Sequence, residues 1–178
     1  MCAVEYYSYE EYSLWKGDWE LIKGIPLSMT PSHTISHQSI ASEIAFELKN
    51  SFKDSKLCMV LGGADWKVSS DTVVKPDVVL TCNETNDTYM TKAPEIIVEV
   101  ISKSTAKRDE QTKFKLYQEE GVKYYIIVYP KDLKAKVYKL ENGRYLKVGD
   151  FLTESYTFNE SSCKASVDFG AVFERFRK

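Results

Sequence analysis

The constraint that bears hardest on how this chain folds is a pair of short apolar runs, each carrying an acid. Pro76-Asp77-Val78-Val79-Leu80 and Ile96-Ile97-Val98-Glu99-Val100-Ile101 are almost unbroken in branched apolar residues, the pattern of strands buried on both faces. An ionised carboxylate left unpaired in such surroundings is costly or takes up a proton, so acids there are paired, hydrogen-bonded or bound to a cation. A downstream helix that sets Lys113 on an apolar face brings a cation to the two acids. Two carboxylates and a lysine converging at one sheet edge have the donors to hold a divalent metal and a phosphate.

The rest of the chain supplies a frame for such an edge. Ser8-Tyr9-Glu10-Glu11 fits a capping box and predicts a short helix running to Lys16, stopped by Gly17. A hairpin follows, turning at Gly24-Ile25-Pro26, and then a helix over residues 37–52 whose Ile40, Ile44 and Leu48 form one buried stripe with Ala41, Ala45 and Phe52. Short strands are expected at 57–61, ended by Gly62-Gly63, and at 66–68. After the Glu99 strand, Ser102-Lys103-Ser104-Thr105 caps a helix that reaches Glu119 or Glu120 and stops at Gly121. Tyr124-Tyr125-Ile126-Ile127-Val128 is a further buried strand, and Asn142-Gly143 marks a C-terminal hairpin. An edge strand near Tyr156 and a closing helix or turn from Phe169 complete the order. The prediction is an α/β protein, a mixed sheet flanked by helices with an N-terminal helix and hairpin and a C-terminal hairpin, in which the Glu99 strand, its helix and the Tyr124 strand form a βαβ unit.

At 178 residues the chain has the length of a single domain spanning 1–178. Cys2, Cys58, Cys82 and Cys163 are scattered with no pair at two-residue spacing, which indicates neither a zinc knuckle nor a disulfide framework; reduced thiols in the cytoplasm are the simpler reading. No stretch has the form of a signal peptide or approaches the roughly 20 apolar residues that span a bilayer. A net charge of −2 argues against coating nucleic acid by charge alone. It is compatible with a local basic patch at Lys103, Lys107, Arg108, Lys113, Lys115 and Lys123, for which a solvated helix face is the commoner explanation.

On the helix after Glu99, the helical period sets Lys113 between Asp109 and Tyr117 on one stripe. A lone lysine in such a position commonly snorkels outward or pairs with the acid one turn earlier. Here the helix begins where the Glu99 strand ends, which makes the acid and the lysine neighbours. His33 and His37 are four apart, but Thr34 stands where a zincin needs glutamate. Glu43 and Glu47 read as surface acids. Tyr6, Tyr7, Tyr9, Tyr12, Trp15 and Trp19 offer either a core or dimer contact or a stacking surface for bases.

Taken in order, Pro76-Asp77, Glu99-Val100-Ile101-Ser102-Lys103-Ser104-Thr105, Asp109 with Lys113 and Tyr117, and Gly121-Val122 before the Tyr124 strand resemble the Uma-two family of restriction-endonuclease-like proteins. That family is a branch of the PD-(D/E)XK nuclease superfamily. Glu20-Leu21-Ile22-Lys23-Gly24 and His37-Gln38 are similar to its upstream signatures. The chain departs from the superfamily pattern at Ile101, where a lysine commonly follows two residues after the glutamate; the resemblance implies that Lys113 substitutes. It further implies a Mg²⁺- or Mn²⁺-dependent endonuclease acting on DNA, with Asp77 and Glu99, and a backbone carbonyl after Glu99, holding the metal. Lys113 would assist catalysis, Asp109 would hold Lys113, and Glu20 and His37 would supply a further ligand or a phosphate contact. Cutting both strands of a duplex suggests a homodimer. The alternative is an inactive module of the same fold that binds nucleic acid or protein.

Overall fold

The computed structural model describes residues 5–29, 34–52, 55–102 and 104–177. His33 and Lys103 lie outside these residues. Ser8 caps α1 (Tyr9–Tyr12) through the reciprocal bonds of a capping box with Glu11. The helix ends well before Lys16, and the Ser13 hydroxyl, rather than a further helical amide, takes the Glu10 carbonyl. The hairpin β1 (Trp19–Ile22) and β2 (Ile25–Ser28) turns at Lys23 and Gly24, both at positive φ, the backbone shape that a tight hairpin demands. α2 (Ile35–Ser51) carries the expected stripe, with Ile40, Ile44 and Leu48 fully buried. The strands β3 (Cys58–Gly62), β4 (Trp66–Ser69), β5 (Thr72–Val74), β6 (Val78–Cys82) and β7 (Ile96–Val100) follow. Of these, β5 has no counterpart in the sequence-based prediction: three residues are too few to show a period.

After β7 the chain winds as a π-helix over Arg108–Lys113 before tightening into α3 (Phe114–Glu119), where the sequence predicts one regular α-helix. β8 (Tyr124–Tyr129), β9 (Lys134–Glu141), β10 (Arg144–Phe151), β11 (Ser155–Thr157), β12 (Ser166–Asp168) and α4 (Phe169–Glu174) complete the chain.

Six strands form the central sheet in the order β10-β9-β8-β7-β6-β3. The β7–β8 pair is parallel and joined through α3; the other pairs are antiparallel. A second sheet, β2-β1-β5-β4, lies with α3 over one face, and α2, α4 and the β11–β12 pair cover the other. Alternation along the strands sends Val78, Leu80, Val98 and Val100 into the α2 core, and Val79, Ile97 and Ile127 into the α3 core. No helix among the described residues is long and apolar enough to cross a membrane.

A further sequence-based expectation fails. Cys58 and Cys82 are not free thiols but are joined by a disulfide. Their spacing hides this, because only the antiparallel register of β3 and β6 sets the two residues directly opposite each other.

Candidate active site

Register brings the two acids together. Val78 stands opposite Val98, and one step further along the same pairing sets Asp77 against Glu99. Asp77 reaches across to accept the Val100 amide at 2.7 Å through Oδ2, which also lies 3.2 Å from His37 Nε2 at the start of α2. Glu99 points to the α3 face, where its Oε1 accepts Lys113 Nζ at 2.9 Å and the Tyr117 hydroxyl at 2.8 Å. These bonds fall on one oxygen of each acid. Asp77 Oδ1 and Glu99 Oε2 take no hydrogen bond among the described residues.

Lys113 is the hub of the buried network. Its ammonium sits 2.7 Å from Glu20 Oε1, 2.9 Å from Glu99 Oε1 and 3.8 Å from Asp109 Oδ1. Glu20, fully buried on β1, also accepts the Lys75 amide at 2.9 Å and Arg108 Nη1 at 3.1 Å. The Tyr125 hydroxyl donates to the Asp109 carbonyl at 2.9 Å, fixing a backbone oxygen in the π-helical stretch. π-Turns inside helices are frequent at functional sites, and this one spans Asp109 and Lys113.

Burial is the largest influence on these groups and disfavours charge on each. For Glu99 it outweighs the attraction of Lys113, and with Asp109, Asp77 and Glu20 nearby the carboxyl is held well above its usual range. Asp109 is raised to about 6, again chiefly by burial and against the pull of Lys113. For Lys113 the balance is opposite: burial lowers it, but Glu99, Glu20 and Asp109 together raise it, so it stays charged. Burial and Glu99 hold the Tyr117 phenol protonated.

Glu20, His37, Asp77, Glu99, Asp109 and Lys113 line one cavity of about 660 Å³, with Arg108, Tyr129 and Lys131 also on its wall. The site residues expected from sequence therefore share one space. A shallower groove of about 410 Å³ continues past Asp77 and His37 along α2, lined by Gln38, Ser42, Gly62, Gly63 and Lys75. On the other side, register places Glu99, Ile127 and Lys136 in one row across the sheet. Lys136 and Lys134 flank the Tyr129 ring, with Nζ atoms 4.4 and 5.5 Å from its centroid. Sequence reasoning overlooks this basic rim because it is assembled by cross-strand register and not by a local run. It also treats Tyr117 as a stripe residue only, although helical spacing from Lys113 sets it over the same acid. Glu47 is elsewhere, accepting the Asp168 amide, and the aromatic residues around α1 stack edge to face away from the cavity, Tyr7 on Trp15 and Trp15 on Trp19.

Four carboxylates, those of Glu20, Asp77, Glu99 and Asp109, thus face two permanent cations, Lys113 and Arg108. The donor set is all oxygen on the acidic side, suited to a hard cation.

The chain is similar to known proteins over most of its length. Among solved structures the chain is similar to a protein from Anabaena variabilis described as a "putative nuclease belonging to DUF820", with a TM-score of 0.74 at 13% identity, covering 94% of this chain and 98% of that one. At that identity the likeness establishes the fold, a mixed sheet with flanking helices that the two proteins share. No curated protein matches the chain. A family model described as "Putative restriction endonuclease" matches residues 5–161, and the chain belongs to that family, Uma2.

Proposed function

We propose that the protein is a divalent-metal-dependent endonuclease that hydrolyses phosphodiester bonds in DNA, with Asp77 and Glu99 as the metal ligands. The observation that carries this reading is a surplus of buried acids: four carboxyl groups against two fixed cations, with Glu99 and Asp109 held above their usual range and one oxygen of Asp77 and one of Glu99 uncommitted. A polar cluster built only for stability would match each buried acid with a cation, because unpaired buried charge is strongly destabilising. Asp77 and Glu99 would hold a divalent cation, which when bound would supply an acidified water and neutralise charge at the phosphate.

The chain's own residues do the rest. Lys113 is oriented by Glu20 and Asp109 and stays protonated, so it can donate to a non-bridging phosphate oxygen or to the attacking water. Tyr117 fixes the Glu99 carboxylate, and His37 fixes that of Asp77. Lys131, Lys134 and Lys136 offer ammonium groups to flanking phosphates, and the groove along α2 continues the track past Asp77.

The test is cleavage of mixed single- and double-stranded DNA with Mg²⁺ or Mn²⁺ and with chelator, for wild type and Glu99→Gln. Metal-dependent cleavage that Glu99→Gln loses is the expected result. Folded wild type that binds DNA but leaves it intact under every metal tested would refute a nuclease and leave a binding module.

A further inference from the structure

A second convergence of donor side chains lies at the far end of β6 from Asp77. Cys58 opens β3 and Cys82 closes β6, opposite each other in the antiparallel register. Cys163 arrives from residues 158–165, and the three Sγ atoms all lie within 4.8 Å of one another. Among the described residues no other group of three His, Cys, Asp or Glu donors comes so close together. The segment that delivers Cys163 is firmly held. The Ser162 amide donates to Glu95 at 2.6 Å, the Ser161 hydroxyl to the Phe158 carbonyl at 2.7 Å, and the Ala165 amide to Ser161 Oγ at 3.0 Å. Residues 158 and 165 are tied by a backbone bond of 2.8 Å.

In the oxidised form Cys58 and Cys82 share a disulfide and Cys163 is a free thiol. A disulfide accounts for the pair. It does not account for a third sulfur brought to the same point on an anchored turn from a distant part of the chain. We propose that, once reduced, Cys58, Cys82 and Cys163 form a three-thiolate site for a soft cation of the Zn²⁺ class. A dithiol gives the disulfide two electrons and two protons and itself becomes a disulfide. The cation then displaces three thiol protons and gains three sulfur ligands. Metal–thiolate bonds of about 2.3 Å place the sulfurs of a tetrahedral site roughly 3.8 Å apart, so Cys163, already within 4.8 Å of the other two, needs little movement once reduction lets Cys58 and Cys82 separate to that spacing. Cys163 is only partly buried, which leaves the fourth position open to water. Softness separates this site from the carboxylates: thiolates select Zn²⁺, Cd²⁺ or Cu⁺, and carboxylates select Mg²⁺ and Mn²⁺.

Titration of the full chain with Cd²⁺, after reduction with a phosphine that offers no thiolate of its own, tests this. The reduced wild type is expected to develop a thiolate-to-metal absorption band that saturates at one Cd²⁺ per chain, is competed by Zn²⁺, and is absent from the oxidised protein. Cys163→Ser loses the band and Cys2→Ser keeps it. Alkylation mapping of the wild type gives an answer that does not depend on any variant folding: Cd²⁺ shields Cys58, Cys82 and Cys163 together and leaves Cys2 reactive. No band in the reduced wild type, an undiminished band in Cys163→Ser, or shielding of Cys58 and Cys82 without Cys163 would overturn the proposal.

Discussion

The two faces of the central sheet are built from the same strands and do opposite work. On the α2 face, Val78, Leu80, Ile96, Val98, Val100, Ile126 and Val128 meet Ile40, Ile44 and Leu48 in one apolar cluster. On the α3 face, one residue out of step, the same strands present Glu99 to Lys113, Tyr117 and Glu20. The difference teaches where burial favours the fold and where it opposes it. Apolar area removed from water stabilises by roughly 25 cal/mol per Å², whereas buried ions repay their desolvation only when every partner is present. The α2 face holds the molecule together, and the α3 face sets buried charge against that stability.

Substitutions on the two faces should therefore diverge in what they cost. Lys113→Ala leaves Glu99 and Glu20 facing each other without their shared cation, and its expected cost is about 3–5 kcal/mol together with complete loss of cleavage. Lys113→Arg keeps the charge but spreads it over a planar fork that cannot sit between three carboxylates as a compact ammonium does, so cleavage is lost there too. Ile44→Ala on the α2 face should cost a comparable 2–5 kcal/mol, roughly, through cavity formation, yet leave the activity of each folded molecule unchanged. Denaturant melts beside cleavage rates separate the cases, and an active Lys113→Arg variant would break the comparison by making charge alone sufficient.

A smaller effect follows from Tyr117→Phe, which removes a buried hydrogen bond to Glu99. The expected loss is about 1.5–3 kcal/mol, the range for bonds to charged groups, with cleavage reduced but not abolished because both proposed metal ligands remain. Unchanged stability would show that Lys113 alone holds the Glu99 carboxylate.

These roles were unevenly legible in the sequence. The branched runs around Asp77 and Glu99 disclosed buried strands because burial on both faces leaves an unmistakable composition. The stripe of Ile40, Ile44 and Leu48 disclosed α2 because a helical period repeats over many residues. The spacing of Asp109, Lys113 and Tyr117 put one face of a helix over Glu99, even though the winding there is π and not α. What stayed hidden depends on pairing between distant segments. Arg108 meets Glu20, Lys136 joins the row of Glu99, and Cys58 meets Cys82, all through contacts that no local pattern encodes.

A pH dependence is also expected. Asp109 titrates near 6 in the folded state, above its ordinary value of 3.8, so the native protein binds this proton more tightly than the unfolded chain does. That contribution is fully present below about pH 4 and is lost as pH rises through 6. Asp109→Asn has no such proton to lose. Relative to wild type, the variant should become more stable on going from pH 4 to pH 7, and denaturant midpoints for both proteins at the two pH values check the sign. A relative change in the other direction would mean that Lys113 dominates burial at this carboxyl.

The central claim is that Asp77 and Glu99 hold a hard divalent cation, and thermal melts with Mn²⁺ or with chelator test it most directly. At free Mn²⁺ near 100 times its dissociation constant, wild type should gain roughly 2.7 kcal/mol. Asp77→Asn relieves repulsion with Glu99 and removes a ligand, so it should be at least as stable as wild type in chelator and gain little from the metal. Equal metal-induced shifts in the two proteins would contradict the account, placing the cation away from these acids.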